Sequence, residues 1–374
     1  MTGTGRRQQP EEALSGRPSG VASGAPPVAG PEAPAGARSG DVSGAPAGAP
    51  CGAPSGGPDG RSSEVPEGSL SGVPEGSPSG ASAGVADSAL PGPLVDPTWL
   101  AARLAVPGLV VLDASVGAHR DADRRVPGAR RFDLDGPLSD HASPLPHTMP
   151  GPAAFTEELR ALGVDDTSTV VVYDTAGVYS SARAWWMLRA TGFDRVAVLD
   201  GGLPAWTAAG LPVEERAPDA AAPVRGGFTA RPRAGWLVDA GVVAAALADP
   251  AALVLDARTR GRFAGTEPEP RAGLRGGHMP GAVNLPFGEL LDDAGRLRPA
   301  SELRALFAPL VGGETERLLF SCGSGVTACV LALGAEVAGY DGLAVYDGSW
   351  SDWGRPSERP VAVRAGSGVA ARAT

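Results

Sequence analysis

The feature that most constrains this 374-residue chain is an internal repeat. Short apolar runs recur in the same order in two parts of the sequence, at a nearly constant offset. Four landmarks pair across the repeat: Asp113 with Asp256, Pro127 with Pro280, Asp174 with Cys322, and Asp200 with Asp347. A repeat that keeps its order in this way indicates duplication of one domain of about 120 residues.

Within each copy, short apolar runs alternate with stretches of helical pattern, of which Thr156 and Ser301 read as matching caps. Buried strands interleaved with helices are typical of a parallel sheet with helices on both faces. We therefore predict an α/β protein with two tandem domains, at residues 91–213 and 236–364. A linker at residues 214–235 is predicted to join them.

The segment at residues 1–90 has a different composition from the rest of the chain. It is almost wholly Gly, Ala, Pro and Ser with scattered charge, and the first aromatic residue of the protein is Trp99. A segment with so little to bury cannot offset the entropy of ordering, so we predict a disordered tail rather than a partner-binding arm. Residues 365–374 are predicted to be disordered as well. Cys51 lies inside the tail and is assigned no role.

Composition excludes several classes of function. The net charge of −10 argues against a broad nucleic-acid-binding surface. No uninterrupted apolar run reaches the ~18 residues that a membrane span requires. Three cysteines in a chain of this length do not form a disulfide framework, and we expect a reducing, cytoplasmic setting.

The stretch "SCGSGVTAC" at residues 321–329 carries the clearest chemistry. Cys322 follows an apolar run that reads as a strand, and a predicted helix starts soon after it. A glycine-rich turn at a helix N-terminus lets successive backbone N–H groups converge on an anion. We predict that Cys322 is a nucleophilic thiolate. The predicted anion-binding residues are Gly323, Ser324, Gly325, Val326 and Thr327.

Other readings of this stretch are weaker. A buried strand-end cysteine that only packs is the plain alternative for Cys322, but the glycines argue against it. Cys329 falls within the predicted helix among apolar residues, which favours a core thiol over a resolving partner. A phosphatase needs an arginine where this chain has Ala328. Two thiols and four scattered histidines lack the spacing of metal ligands, so no metal or cofactor is expected.

Five motifs resemble the rhodanese superfamily, specifically the 3-mercaptopyruvate sulfurtransferases. They are "LDGGLPAW" at 199–206, "GRFAGTEPEPR" at 261–271, "GHMPGAVNLPF" at 277–287, "CGSGVTA" at 322–328 and "YDGSWSDWG" at 346–354. The resemblance implies two rhodanese-like domains, of which the first is inactive and the second catalytic. Asp174, at the position of the cysteine in the first copy, fits that implication.

The resemblance also implies a reaction. Cys322 would take sulfur from the small-molecule donor 3-mercaptopyruvate, release pyruvate, and hold the sulfur as a persulfide. The acceptor would be a thiol, for which a thioredoxin-like protein is one candidate, or cyanide. Arg262 and Arg271 match the family's clamp on the carboxylate and keto oxygen of the donor, and Glu269 is expected to orient Arg271.

One family residue is missing where we expect it. Ser324 matches a loop serine that works with a histidine just before the first Pro-Gly-Ala turn, but this chain has Arg125 there. The relay is therefore either dispensable or supplied by His119 or another group. His278, at the equivalent place in the second copy, reads as a structural turn residue.

Two other functions remain open. A thiosulfate sulfurtransferase is the alternative within the enzyme class, although its relatives place basic residues where this chain has Gly323 and Ser324. A non-catalytic persulfide carrier is the alternative from another class. The intact cysteine loop and the two arginines favour turnover over carriage.

Overall fold

The computed structural model describes residues 89–215 and 223–363; most of the predicted N-terminal tail and the C-terminal stretch lie outside these ranges. The described residues form two α/β units, each built on a five-stranded parallel sheet. This confirms the predicted fold class.

The first unit carries seven of the strands and four of the helices in the described residues. Its strands are β1 (Leu94–Val95), β2 (Leu109–Asp113), β3 (Arg124–Arg125), β4 (Arg130–Arg131), β5 (Thr169–Tyr173), β6 (Val196–Leu199) and β7 (Glu214–Glu215). Its helices are α1 (Pro97–Ala101), α2 (Pro152–Ala161), α3 (Ser181–Ala190) and α4 (Gly202–Ala208), with a 3-10 helix at Gly117–His119.

The second unit repeats this plan. Its strands are β8 (Leu237–Val238), β9 (Ala252–Asp256), β10 (Val283–Asn284), β11 (Arg317–Ser321) and β12 (Leu343–Tyr346). Its helices are α5 (Ala240–Leu247), α6 (Arg260–Ala264), α7 (Ala300–Phe307), α8 (Ala328–Val337) and α9 (Ser349–Trp353), with a 3-10 helix at Phe287–Leu290.

The two sheets have the same topology. The first sheet runs in the order β1-β6-β5-β2-β4, and the second, read in the corresponding direction, runs β8-β12-β11-β9-β10. In both, the central strand is the one that leads into the loop of interest, so Asp174 follows β5 and Cys322 follows β11. Sites in such sheets lie beyond the carboxyl ends of the strands, which is where both residues stand.

Two helix starts differ from the sequence-based prediction. Helix α2 begins at Pro152, so Thr156 lies inside it, and the Thr156 hydroxyl accepts the backbone N–H of Ala230 instead of capping. Proline suits the first helical position because it has no N–H to satisfy. Helix α7 begins at Ala300, which likewise places Ser301 inside the helix.

The segment between the units lies against the first one. Strand β7 pairs with β3, and Arg125 Nε lies 2.5 Å from Glu214 Oε1. Further on, the buried Phe228 packs edge-to-face on Phe155 and Phe193. The connection therefore extends the first unit's core as far as the described residues show.

The units share a continuous hydrophobic cluster that draws residues from both sheets. Helix α3 packs against α8, the two helices that follow the equivalent loops. Across this contact the rings of Trp186 and Trp236 lie 4.7 Å apart, and Arg189 Nη1 lies 2.8 Å from Glu336 Oε1. Trp186 therefore packs at the contact between the two units, and this packing brings the first unit's loops close to the second unit's cysteine.

Candidate functional site

Cys322 is held firmly at the end of β11. Its side chain is only 1% exposed, and its carbonyl accepts the N–H of Trp350 at 2.9 Å. Its own N–H donates to Ser349 Oγ at 3.1 Å, and that hydroxyl lies 4.0 Å from the thiol sulfur. The start of α9 thus fixes the backbone on which the thiol stands.

The turn after Cys322 presents unused donors. In the described part of the chain, the backbone N–H groups of residues 323–327 have no protein acceptor. Gly325 has a φ of +78°, and a Cβ there would lie 2.8 Å from the carbonyl oxygen of Asp347, so only glycine fits. These amides stand beside the thiol at the N-terminal end of α8, where a negative charge is stabilised.

The equivalent loop of the first unit shows what such amides do. The carboxyl oxygens of Asp174 accept the backbone N–H groups of Ala176, Tyr179 and Ser181 at 2.9, 3.0 and 2.8 Å. The first loop therefore fills its own donor site with an internal carboxyl group. In the second loop the donors remain available to a ligand or to sulfur.

Two arginines reach the loop. A methyl group on Gly323 would lie 3.1 Å from Arg262 Nη2 and 3.9 Å from Arg271 Nη1. Among the described residues, Arg271 has no hydrogen-bond or ion-pair partner. Its pKa is lowered by desolvation, which nearby Cys322 opposes. The structure brings together the two arginines that the sequence assigned to the donor.

Glu269 acts on a different arginine from the one predicted. Its Oε2 lies 2.6 Å from Arg262 Nη2, and its Oε1 lies 2.7 Å from Arg258 Nη1. Arg258 is fully buried and pairs with Asp256 at 2.7 Å. The expectation that Glu269 orients Arg271 is wrong, because its two oxygens are occupied by a buried chain of charges that holds Arg262.

A histidine that the sequence reasoning missed completes the site. His147 lies between β4 and α2 of the first unit; its Nδ1 is 2.9 Å from Ser324 Oγ and its Nε2 is 3.1 Å from Asp135 Oδ1. The hydrogen bond from His147 holds the pKa of Asp135 below its ordinary value, and the N–H of Gly117 acts in the same direction. His119, weighed as a substitute, ends an exposed 3-10 helix instead.

Backbone conformation marks the same place. In the residues that the structure describes, only two non-glycine residues have positive φ: His147 at 57° and Ser349 at 46°. Such conformations cost of order 1–3 kcal/mol and persist where the surroundings impose them, commonly at functional sites. His147 contacts Ser324, and Ser349 contacts Cys322.

Cys329 and Tyr179 lie near the cysteine loop, and the pKa of each is raised by burial. Cys329 is fully buried in α8, its thiol donates to the carbonyl of Gly325 at 3.2 Å, and burial raises its pKa to about 12. It is a core thiol, as predicted. Tyr179 packs edge-to-face on Phe287, and burial, together with the charge of nearby Cys322, raises its pKa to about 12.

The described residues offer neither a metal site nor a membrane-spanning helix. Residues 89–215 and 223–363 contain no group of three or more His, Cys, Asp or Glu arranged to hold a metal ion. None of the helices described there is long and apolar enough to cross a membrane. His278 Nδ1 donates to the carbonyl of Phe263 at 2.8 Å, and the His278 ring stacks on the Phe263 ring, which is a structural role.

Comparisons with known proteins agree with the duplicated architecture. The rhodanese-like domain family matches residues 96–209 and 239–355. The chain is 38% identical over 272 residues to the 3-mercaptopyruvate sulfurtransferase of Escherichia coli, covering 70% of this chain and 95% of that protein. It is also 38% identical over 276 residues to the thiosulfate sulfurtransferase of Bos taurus, covering 70% and 91%.

A solved structure shows the same arrangement. The crystal structure of the 3-mercaptopyruvate sulfotransferase SseA from Escherichia coli superposes with a TM-score of 0.62 at 35% identity. The match covers 70% of this chain and 99% of that one. Because identity to the mercaptopyruvate and thiosulfate proteins is the same, the site itself has to distinguish the donor.

Proposed function

Because the chain belongs to the rhodanese family, we propose that it is a sulfurtransferase that takes sulfur from 3-mercaptopyruvate through Cys322. The observation that carries the choice of donor is Arg271. Its guanidinium lies beside the thiol loop and has no partner within residues 89–215 and 223–363, and a planar guanidinium can bind a carboxylate through two parallel hydrogen bonds. Mercaptopyruvate carries its charge on a carboxylate at the end remote from its sulfur.

The first half-reaction forms a persulfide. The Cys322 thiolate attacks the sulfur of the donor, the carbon–sulfur bond breaks, and its electron pair stays on the carbon of the leaving enolate. The proton of the donor's thiol ends on pyruvate, so atoms and charge balance without an outside reductant. Ser324 and His147 stand where they can carry that proton. The amides of residues 323–327 stabilise the negative persulfide.

The second half-reaction empties the site. A thiolate acceptor, for which a thioredoxin-like protein is one candidate, attacks the outer sulfur and leaves Cys322 as a thiolate; cyanide does the same and leaves as thiocyanate. No cofactor enters either step. Cys322 and Cys329 are both free thiols, which suits a reducing compartment, and we place the protein in the cytoplasm.

The alternatives predict different contacts. A donor that is a small dianion, such as thiosulfate, gains from charge next to the sulfur, yet Gly323 and Ser324 add none. A passive persulfide carrier has no use for the relay of Ser324, His147 and Asp135. The site therefore favours mercaptopyruvate and turnover.

The test is a donor assay on the purified protein. With mercaptopyruvate we expect release of pyruvate and an intact mass increased by one sulfur atom, removable by cyanide. Equal kcat/KM for thiosulfate would favour the thiosulfate enzyme. No pyruvate, combined with sulfur uptake from a persulfidated protein, would favour the carrier.

A further inference from the structure

We propose that Arg183, on α3 of the first domain, is a positioning residue that fixes His147 against Ser324. The proposal rests on the proposed function and deepens it. It gives the domain without a catalytic cysteine a specific part in the reaction: to hold the relay of the other domain in place.

The turn that carries His147 is hydrogen-bonded to the buried ion pair of Arg183 and Asp347. Arg183 Nη2 donates to the carbonyl of His147 at 2.8 Å and to Asp347 Oδ1 at 2.6 Å. The other carboxylate oxygen of Asp347 accepts the backbone N–H of Met149 at 2.9 Å. The backbone is therefore anchored to the same ion pair at His147 and again two residues later at Met149, and this pair joins the two domains.

Stability alone does not explain this arginine. Its side chain is fully buried, and among the described residues its Nε and Nη1 have no nitrogen or oxygen acceptor, although the guanidinium does make a hydrogen bond to the Cys329 thiol. Burying a guanidinium with one carboxylate and a weak sulfur acceptor is costly, and well-packed apolar residues are often at least as stabilising in such places. Arg183 Nη1 also lies 3.4 Å from the Cβ position of Gly325, so the cation stands against the cysteine loop.

The conformation of His147 depends on such an anchor. Its φ of 57° is one that side-chain-bearing residues rarely adopt, so the turn relaxes if the contact to its carbonyl is lost. Asp135 holds only the far nitrogen of the ring and does not fix the backbone. Relaxation of the turn would carry Nδ1 away from Ser324.

Comparing the sulfur donors mercaptopyruvate and thiosulfate distinguishes displacement of His147 from general damage to the protein. Sulfur transfer from mercaptopyruvate moves a proton from the donor's sulfur to the carbon of pyruvate. Transfer from thiosulfate moves none, because sulfite leaves with the electron pair of the sulfur–sulfur bond. A displaced His147 should therefore slow the first donor far more than the second.

The experiment compares Arg183→Met with Arg189→Met in the full chain. Arg189 is the matched control, since it lies on the same helix and makes a cross-domain ion pair with Glu336 but does not contact the His147 turn. In Arg183→Met we expect kcat for mercaptopyruvate to fall roughly 10- to 100-fold. We expect KM to stay within about twofold and thiosulfate kcat/KM within about threefold, because the donor-binding arginines are intact. Arg189→Met should leave the ratio of the two donors unchanged.

A second variant, Asp347→Asn, and a direct structural measurement test the proposal even if Arg183→Met does not fold. Asp347→Asn keeps the size of the side chain and should shift the donor ratio in the same direction by less. Crystal structures of the variants should show the His147 Nδ1 to Ser324 Oγ distance beyond hydrogen-bonding range in Arg183→Met and kept in Arg189→Met. An unchanged distance with an unchanged donor ratio would overturn the proposal. If wild type releases no pyruvate, the proposed function fails, and the distance still decides the role of Arg183.

Discussion

At the scale of single residues, two cysteines seven positions apart have opposite environments. Cys322 stands next to backbone N–H groups that have no acceptor in the part of the protein that the structure describes, whereas the thiol of Cys329 donates to the carbonyl of Gly325, just before α8. The sequence already separated them, because one precedes the glycine turn and the other follows the helix start. The difference in environment leads to a difference in reactivity.

We predict that Cys322→Ser abolishes the persulfide, because a hydroxyl lacks the nucleophilicity of a thiolate. Cys329→Ser should retain most of the turnover, since its side chain faces the core. Intact-mass analysis after treatment with mercaptopyruvate measures both. A sulfur adduct that persists in Cys322→Ser would refute the assignment of the nucleophile.

Arg271→Ala should lower kcat/KM for mercaptopyruvate. The fall should correspond to a loss of about 1–3 kcal/mol of transition-state stabilisation, as expected for loss of a charge-assisted hydrogen bond. Arg260→Ala is the control, because Arg260 lies on the adjacent helix, is exposed and pairs with Glu289. Steady-state kinetics of pyruvate release compare the two. Equal losses in both variants would mean that Arg271 does not bind the donor.

Cys329 also predicts an alkaline signature. Its folded pKa is about 12 against an ordinary 9.0, so between these values the folded state keeps a proton that the unfolded state releases. The contribution of Cys329 to the free energy of unfolding is complete below pH 9. It is lost as the pH rises toward the folded pKa, with a slope of up to about 1.4 kcal/mol per pH unit. Urea unfolding from pH 8 to 10.5 should show a shallower decline for Cys329→Ser than for wild type. Parallel declines would contradict this.

Candidate site residues could be proposed from the sequence where a motif is local, but not where the partner is distant in the chain. The cysteine, its loop and both arginines lie in motifs that can be read directly. His147 was missed because it reaches Ser324 from the other domain, and only the packing of that domain brings it there. Glu269 was given the wrong partner, because sequence proximity to Arg271 does not show that its oxygens are bound by Arg258 and Arg262.

At the scale of elements, one loop design serves two purposes. After β5 the backbone N–H groups of the turn bind its own Asp174, whereas after β11 those of the equivalent turn have no acceptor among the described residues. Helix α6, which carries Arg262, lies in the longer connection after β9, where the first unit has a 3-10 helix and the short strand β3. The repeat predicted the shared sheet, while the helix starts at Pro152 and Ala300 were missed because Thr156 and Ser301 were read as caps, although Pro152 and Pro299 mark the true starts.

The loop itself should set donor choice. Gly323→Arg places a cation beside the thiol, and even its Cβ would lie 3.1 Å from Arg262 Nη2, so the two guanidinium groups repel. We expect mercaptopyruvate kcat/KM to fall and the preference over thiosulfate to narrow, more so with Ser324→Lys added. Gly323→Ala is the neutral control, and it should retain the preference. The same shift in Gly323→Ala would mean that crowding rather than charge is responsible.

At the scale of the whole molecule, the candidate site is assembled across the domain interface. The second domain supplies the thiol, the amide donors and both arginines, and the first supplies His147 and Asp135. Packing of α3 on α8 and the shared hydrophobic cluster hold these parts in register. The duplication was readable from sequence, but the interface was not, because no local pattern encodes which faces of two similar domains meet.

This shared core leads to a prediction about unfolding. Because apolar residues of both sheets pack in one cluster, neither domain can unfold without exposing the core of the other, and calorimetry should show one cooperative transition. Two resolved transitions would show that the domains unfold independently.

Deleting residues 1–88, whose composition offers little to bury, should shift Tm by less than about 2 °C and leave turnover nearly unchanged. The deletion stops there because Leu90 packs against the first domain. A large fall in Tm on this deletion would show that the N-terminal segment contributes to the fold.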